Sequence, residues 1–208
     1  MPIEWPDLLI FTSAALALNL TPGNDMMFVL GQALRGGART GIAASLGIAT
    51  GSAIHACLVA AGVAVVLAQH PAIFDAIRYA GAAYLLWIAY RSLTSASLAL
   101  DETSRRRTPF GAWRDGALVN LLNPKIIVFM FAFLPPFVRP ENGMPLLQLF
   151  ILATIFNIGG TLINIAVSAF AGSLAESLRR DARKARWFQR LSACLFTLLA
   201  ALMILERR

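Results

Sequence analysis

The sequence predicts an all-α integral membrane protein of six transmembrane helices, arranged as a 3+3 inverted repeat in which helices one and four are broken. Three observations carry that expectation. The first is composition: of 208 residues, 58% are apolar and 14% charged, against about 25% charged in an ordinary soluble domain. The second is the spacing of charge. The 35 residues between Arg39 and Asp75 and the 34 between Glu141 and Glu176 carry no formal charge. Wound as helix, either run would reach about 50 Å, well past the ~30 Å hydrocarbon core, so each must hold one span plus a connection. The third is a pair of helix-breaking clusters, Leu20-Thr21-Pro22 and Leu122-Asn123-Pro124, one in each half of the chain.

Turn chemistry and charge place the spans at 7–32, 41–68, 74–95, 115–138, 145–174 and 188–206. The third and sixth are short between charges and need snorkelling arginines, with Tyr84, Trp87, Tyr90 and Trp187 as interfacial anchors. The links after spans one, three and five hold 13 cations, among them Arg35, Arg39, Arg105, Arg106, Arg107 and Lys184; the opposite side has Arg78, Arg139, Arg207 and Arg208. The positive-inside rule makes the odd links cytoplasmic and both termini periplasmic. A five-span version with a re-entrant segment would move one terminus. Residues 1–95 then form the first three-helix repeat, 96–114 a basic cytoplasmic linker and 115–208 the second repeat; three is odd, so the repeats are inverted.

The net charge of +7 raises the question of nucleic acid. The cations sit at span ends without interleaved aromatic platforms, which reads as a topology signal and argues against an RNA or DNA surface. Cys57 and Cys194 lie in apolar runs, far from any CxxC or Cys/His spacing, and are expected to be core residues. The start, "MPIEWPD", lacks the basic n-region of a cleaved signal, so the first apolar run is expected to stay as a span.

The two breaks are where chemistry is expected. Thr21 and Asn123 are good N-caps, each followed by a proline at the first helical position, so each motif is expected to start a new half-helix inside the membrane. Counting ~1.5 Å per residue from the span ends puts the two breaks at nearly the same depth. Freed backbone groups at that depth must be buried in protein or line a cavity. Paired discontinuous spans meeting near the midplane point to a transporter binding site.

Three stretches carry a family resemblance: "TPGNDMMFVLGQALRGGARTGIAASLGIATG", "AGAAYLLWIAYRS" and "LVNLLNPKIIVFMFAFLPPFV". They resemble the LysE/RhtB family of amino-acid exporters, over essentially the whole chain. The family usually has a second proline after Thr-Pro-Gly, where this chain has Asn24; Asp25 matches. The resemblance implies a small inner-membrane exporter of amino acids, driven by the proton gradient and assembled as an oligomer.

The candidate substrate-binding residues are Thr21, Pro22, Gly23, Asn24, Asp25, Asn123, Pro124, Lys125, Asn157 and Asn164, with Asp25 and His55 as candidates for proton coupling. Asp25, in the first turn of its half-helix, sits where the dipole favours a carboxylate. Lys125 sits at the wrong end for a cation and needs an anion. A zwitterionic amino acid would suit both, its carboxylate on Lys125 and half-helix N–H groups, its ammonium on Asp25 and freed carbonyls. The alternative is a structural Asp25–Lys125 salt bridge. Asn157, Thr161, Asn164 and Ser168 form a polar stripe that either lines a path or bonds helix to helix. Ala43, Gly47, Gly51 and His55 form a small-residue stripe suited to close packing. Asn19 and Asn120 precede the breaks and are expected to satisfy freed backbone groups, and Gly36-Gly37 to form a tight turn.

No cofactor or metal is expected, and the partners are an amino-acid substrate, protons and the lipid bilayer. An ion or metal-cation exporter or channel on the same scaffold is the main alternative; metal export would call for His, Cys or Asp/Glu clusters, which are scarce here. A membrane-embedded enzyme is further off, because two histidines fifteen residues apart supply no nucleophile-and-base or metal set. A purely structural subunit leaves Asp25 and Lys125 unexplained.

Overall fold

A computed structural model describes residues 2–69, 71–94, 108–173 and 182–205, and every regular element among them is helical. Helix α1 spans Trp5–Leu20, with Pro6 in its first turn and Asp7 favoured by the dipole there. It stops at Thr21, which the following proline holds in an extended conformation (φ −73°, ψ 119°). Helix α2 runs Asn24–Gly36 and ends at Gly37, whose φ of 81° suits the turn that the Gly-Gly pair promised. Helices α3 (Ala38–Gln69) and α4 (Pro71–Thr94) follow.

Helix α5, Pro109–Leu121, begins on Thr108, whose hydroxyl accepts from Gly111 N at 3.1 Å. Helix α6, Pro124–Val128, continues through a π turn at Phe129–Phe133 and a 3-10 turn at Pro135–Phe137. The Pro135-Pro136 pair ends that segment, as neither can donate a backbone bond. Helix α7 spans Pro145–Ala169 and α8 spans Ala182–Leu205. The last helix is described from Ala182, ahead of the 188 expected from its apolar run, and takes in the basic residues before Trp187.

By length and composition, Ala38–Gly62 and Pro145–Ala169 can each cross a membrane; α5 with Pro124–Phe137, bent by 54°, makes a third if taken as one span. Leu9, Leu16, Leu46, Leu58, Leu118, Ile158 and Leu162 are exposed, an apolar exterior suited to lipid. Cys57 and Cys194 share that exterior, contrary to the expectation of core positions. In a bilayer the surroundings are as apolar as the interior, so an apolar run does not say which way its residues face.

Helix α3 lies along α5 and against α7, α1 packs on α7, α2 on α3 and α7, and α4 along α8. The α3–α5 seam depends on missing side chains. A Cβ at Gly51 would stand 2.9 Å from Ala117 O and from Asn120 Cβ, and one at Gly116 would stand 2.5 Å from Ala44 O; Gly47 abuts the Trp113 carbonyl in the same way. Backbones meet there directly, the close packing that the small-residue stripe predicted.

Buried aromatic rings fill the space between α1, the π turn and α7. Phe11 stands 5.8 Å from Phe129 and 5.4 Å from Phe137 between ring centroids, and Phe129 stacks on Phe156 at 4.5 Å. Beyond this cluster Arg139 Nε donates to Asp7 Oδ2 at 3.0 Å. Fully buried Gln148 fixes the same segment, accepting from Arg139 N and donating to the carbonyls of Arg139 and Gly143.

Candidate functional site

The first break is an extended link of Thr21, Pro22 and Gly23. Thr21 does not cap the second half-helix, as its sequence position suggested. Its hydroxyl turns back to donate to Ala17 O at 2.8 Å, so Thr21 finishes α1, and Gly23 (φ −157°, ψ −173°) precedes α2 without a side-chain cap. Proline after Thr21 and an extended Gly23 displace the helix start to Asn24. The second break is tighter and follows the expectation: Asn123 Oδ1 accepts from Lys125 N at 3.1 Å and Pro124 occupies the first helical position.

The breaks are cross-linked by their ionisable residues. Lys125 Nζ reaches across to donate to Leu18 O at 2.8 Å, which also accepts from Thr21 N, and to Thr21 O at 2.9 Å, both at the end of α1. This resolves the dipole mismatch: Lys125 starts at the N-terminus of α6, but its charge lies at the C-terminus of α1, where a cation is favoured. Asp25 reciprocates. Its Oδ1 accepts from Asn123 Nδ2 and its Oδ2 from Asn120 Nδ2, both at 2.8 Å. Asp25 and Lys125 therefore do not pair with each other; each holds the other half's break.

A partly open cavity of about 30 Å³, room for water-sized groups, lies at this junction. Asn19, Thr21, Gly23, Asp25, Asn120, Asn123, Lys125, Ser52, Asn157, Thr161 and Asn164 give it a polar wall, and Ile48, Ile126 and Phe156 an apolar one. Phe156 also belongs to the aromatic cluster, stacking on Phe129.

Of the residues singled out in the sequence, Thr21, Gly23, Asp25, Asn123, Lys125, Asn157 and Asn164 come together here. Pro22, Asn24 and Pro124 shape the breaks without lining the space, and Asn24 is exposed. The polar stripe bonds helix to helix, and part of it faces the cavity. Asn157 lines the cavity and also donates to Ala49 O on α3 at 3.0 Å, and Thr161 donates to Asn157 Oδ1. Ser168 only bonds back to Asn164 O. His55 is buried behind the wall, its Nε2 3.4 Å from the Asn120 carbonyl oxygen and its ring edge-on to Phe131.

Asn19 and Asn120 do more than their positions suggested. Asn19 Nδ2 donates to Phe156 O at 3.0 Å, joining α1 to α7, and Asn120 donates to Asp25. The signal for Asn120 was its spacing of three from Asn123, which puts both amides on one face. Ser52, on the cavity wall, was also missed. Its Oγ, like Asn120 Oδ1 and His55 Nδ1, is buried with no hydrogen-bond partner among the described residues.

Fold and site together define an all-helical membrane protein with a polar cavity at the meeting point of two interrupted helices. The LysE type translocator family model matches residues 16–207, and the chain belongs to that family. The leucine efflux protein of Salmonella typhimurium is 37% identical over 152 residues, 69% of each chain. The homoserine/homoserine lactone efflux protein of the same organism is 26% identical over 211 residues, covering 100% of this chain and 99% of that one. No solved structure matches the chain.

Proposed function

We propose that this protein is a secondary active transporter that exports amino acids, small or neutral zwitterions, across the bacterial inner membrane. Its architecture in this reading is six spans in two inverted three-helix repeats, with α1–α2 and α5–α6 as the broken spans and both termini periplasmic. The observation that carries it is the reciprocal clasp of the two breaks around the cavity, an acid from one half and a base from the other facing the same space. Two relatives named as efflux proteins for leucine and for homoserine or its lactone support the substrate class.

The substrate carboxylate takes the remaining N–H of Lys125 and the uncapped first turn of α2. The ammonium takes the free lone pairs of Asp25, with Asn120 Oδ1 and Ser52 Oγ as further acceptors in need of donors. Coupling runs through a proton on Asp25, with His55 behind Asn120 as the second proton-coupling candidate, and the working unit is an oligomer.

Counterflow in proteoliposomes across the twenty amino acids tests this reading, with Asp25→Asn and Lys125→Met alongside. Exchange of a small zwitterion, lost in both variants, is expected. Unchanged exchange in variants that insert normally overturns the site; exchange of a metal cation with no zwitterion overturns the substrate class.

A further inference from the structure

The position of Lys125 raises a question about ions that is independent of the cargo. Where a helix is interrupted inside a membrane, its freed C-terminal carbonyls carry the negative end of the dipole, and such carbonyls coordinate alkali cations in other broken-helix transporters. Here α1 ends in that way, and its carbonyls at Leu18 and Thr21 converge on one point. That point is filled by the Lys125 ammonium, at 2.8 and 2.9 Å. The Phe196 ring stands 5.7 Å from Nζ, adding the face of a π system. Gly23 leaves room for the side chain to arrive: a Cβ there would already be 3.4 Å from Nζ. No carboxylate takes part, since both oxygens of Asp25 are turned to the asparagine amides.

We propose that the Lys125 ammonium is a tethered cation occupying a monovalent-cation site built by the broken end of α1, and that removing it uncovers that site for a free ion. An ammonium and a potassium ion are close in size, and a primary alkylammonium restores the donors as well as the charge. The wild-type protein therefore needs no sodium or potassium at this junction. A variant without the ammonium requires one of them, or a small amine, to hold α1 against α6.

The test follows thermal unfolding of the purified full-length protein in detergent, at constant ionic strength, in sodium, potassium, n-propylammonium or tetramethylammonium chloride. The readout needs no transported substrate, so it stands or falls separately from the export reading. Wild-type Tm is expected to be the same in all four salts. Lys125→Ala, which leaves space where the stem and ammonium were, is expected to lose about 5 °C in tetramethylammonium. It recovers most of that loss in at least one of the other three salts. Lys125→Met, which fills the space without charge, is expected to be destabilised in every salt. The proposal is overturned if wild-type Tm depends on sodium or potassium, if Lys125→Met is as stable as wild type, or if Lys125→Ala responds alike to all four salts. Failure of Lys125→Ala to fold in every salt while Lys125→Met folds normally also overturns it.

Discussion

The two breaks look alike in letters and differ in how they are held. At Asn123-Pro124-Lys125 helix resumes after two residues, Leu122 and Asn123, capped by its own asparagine. At Thr21-Pro22-Gly23 three residues pass before helix resumes, no side chain caps the restart, and the released carbonyls are satisfied by a lysine about a hundred positions away. The second break supplies its own cap and is held from across the junction by Asp25; the first has no cap and is completed by Lys125. A repeated motif can thus divide its labour, with the closed copy supplying parts to the open one.

Asp25→Asn is the most damaging test of that division, because the acid anchors both Asn120 and Asn123. An amide there turns N–H against N–H on one side, so a loss of about 3 kcal/mol is expected, seen as a lower Tm together with loss of exchange. Asn123→Ala removes the cap and one bond to Asp25, and about 2 kcal/mol should follow. Thr21→Val is the paired measurement at the open break. Its hydroxyl only bonds back within α1, so denaturation midpoints should move by about 0.5 kcal/mol or less. Equal costs at Asn123 and Thr21 would erase the distinction between the breaks.

Gly23→Ala sharpens it from the other side. The extended backbone there accepts any residue, and the new Cβ meets Lys125 at ordinary contact distance, so stability should shift by no more than about 1 kcal/mol. A large loss would mean that the open break needs glycine for more than room. Asp7→Asn, remote from both breaks, weakens a partly exposed ion pair and should cost at most about 1 kcal/mol in the same assay.

How much of this was legible in the sequence follows from the range of each interaction. Proline and its neighbours act locally, so both breaks could be placed, and the asparagine cap was read correctly. Thr21 was misjudged because threonine before proline is compatible with ending one helix as well as starting another. The π turn left no mark, since Phe129, Met130, Phe131, Ala132 and Phe133 include no breaker. The partners of Asp25 and Lys125 lie 95 to 107 positions away, where periodicity says nothing. The charges could be flagged from their cost in an apolar setting, but what satisfies them is a property of the folded arrangement.

The glycine seam of α3 and α5 bears on how the protein can move. Two rods whose main chains touch at Gly47, Gly51 and Gly116 cannot slide by a fraction of a turn without collision, so they are expected to travel as one beam. Because α3 belongs to the first of the two proposed three-helix repeats and α5 opens the second, the beam would join them. In the proposed export cycle a rocking motion would pivot against this beam, at contacts such as α1 with α7, where the Asn19 side chain lies between the helices.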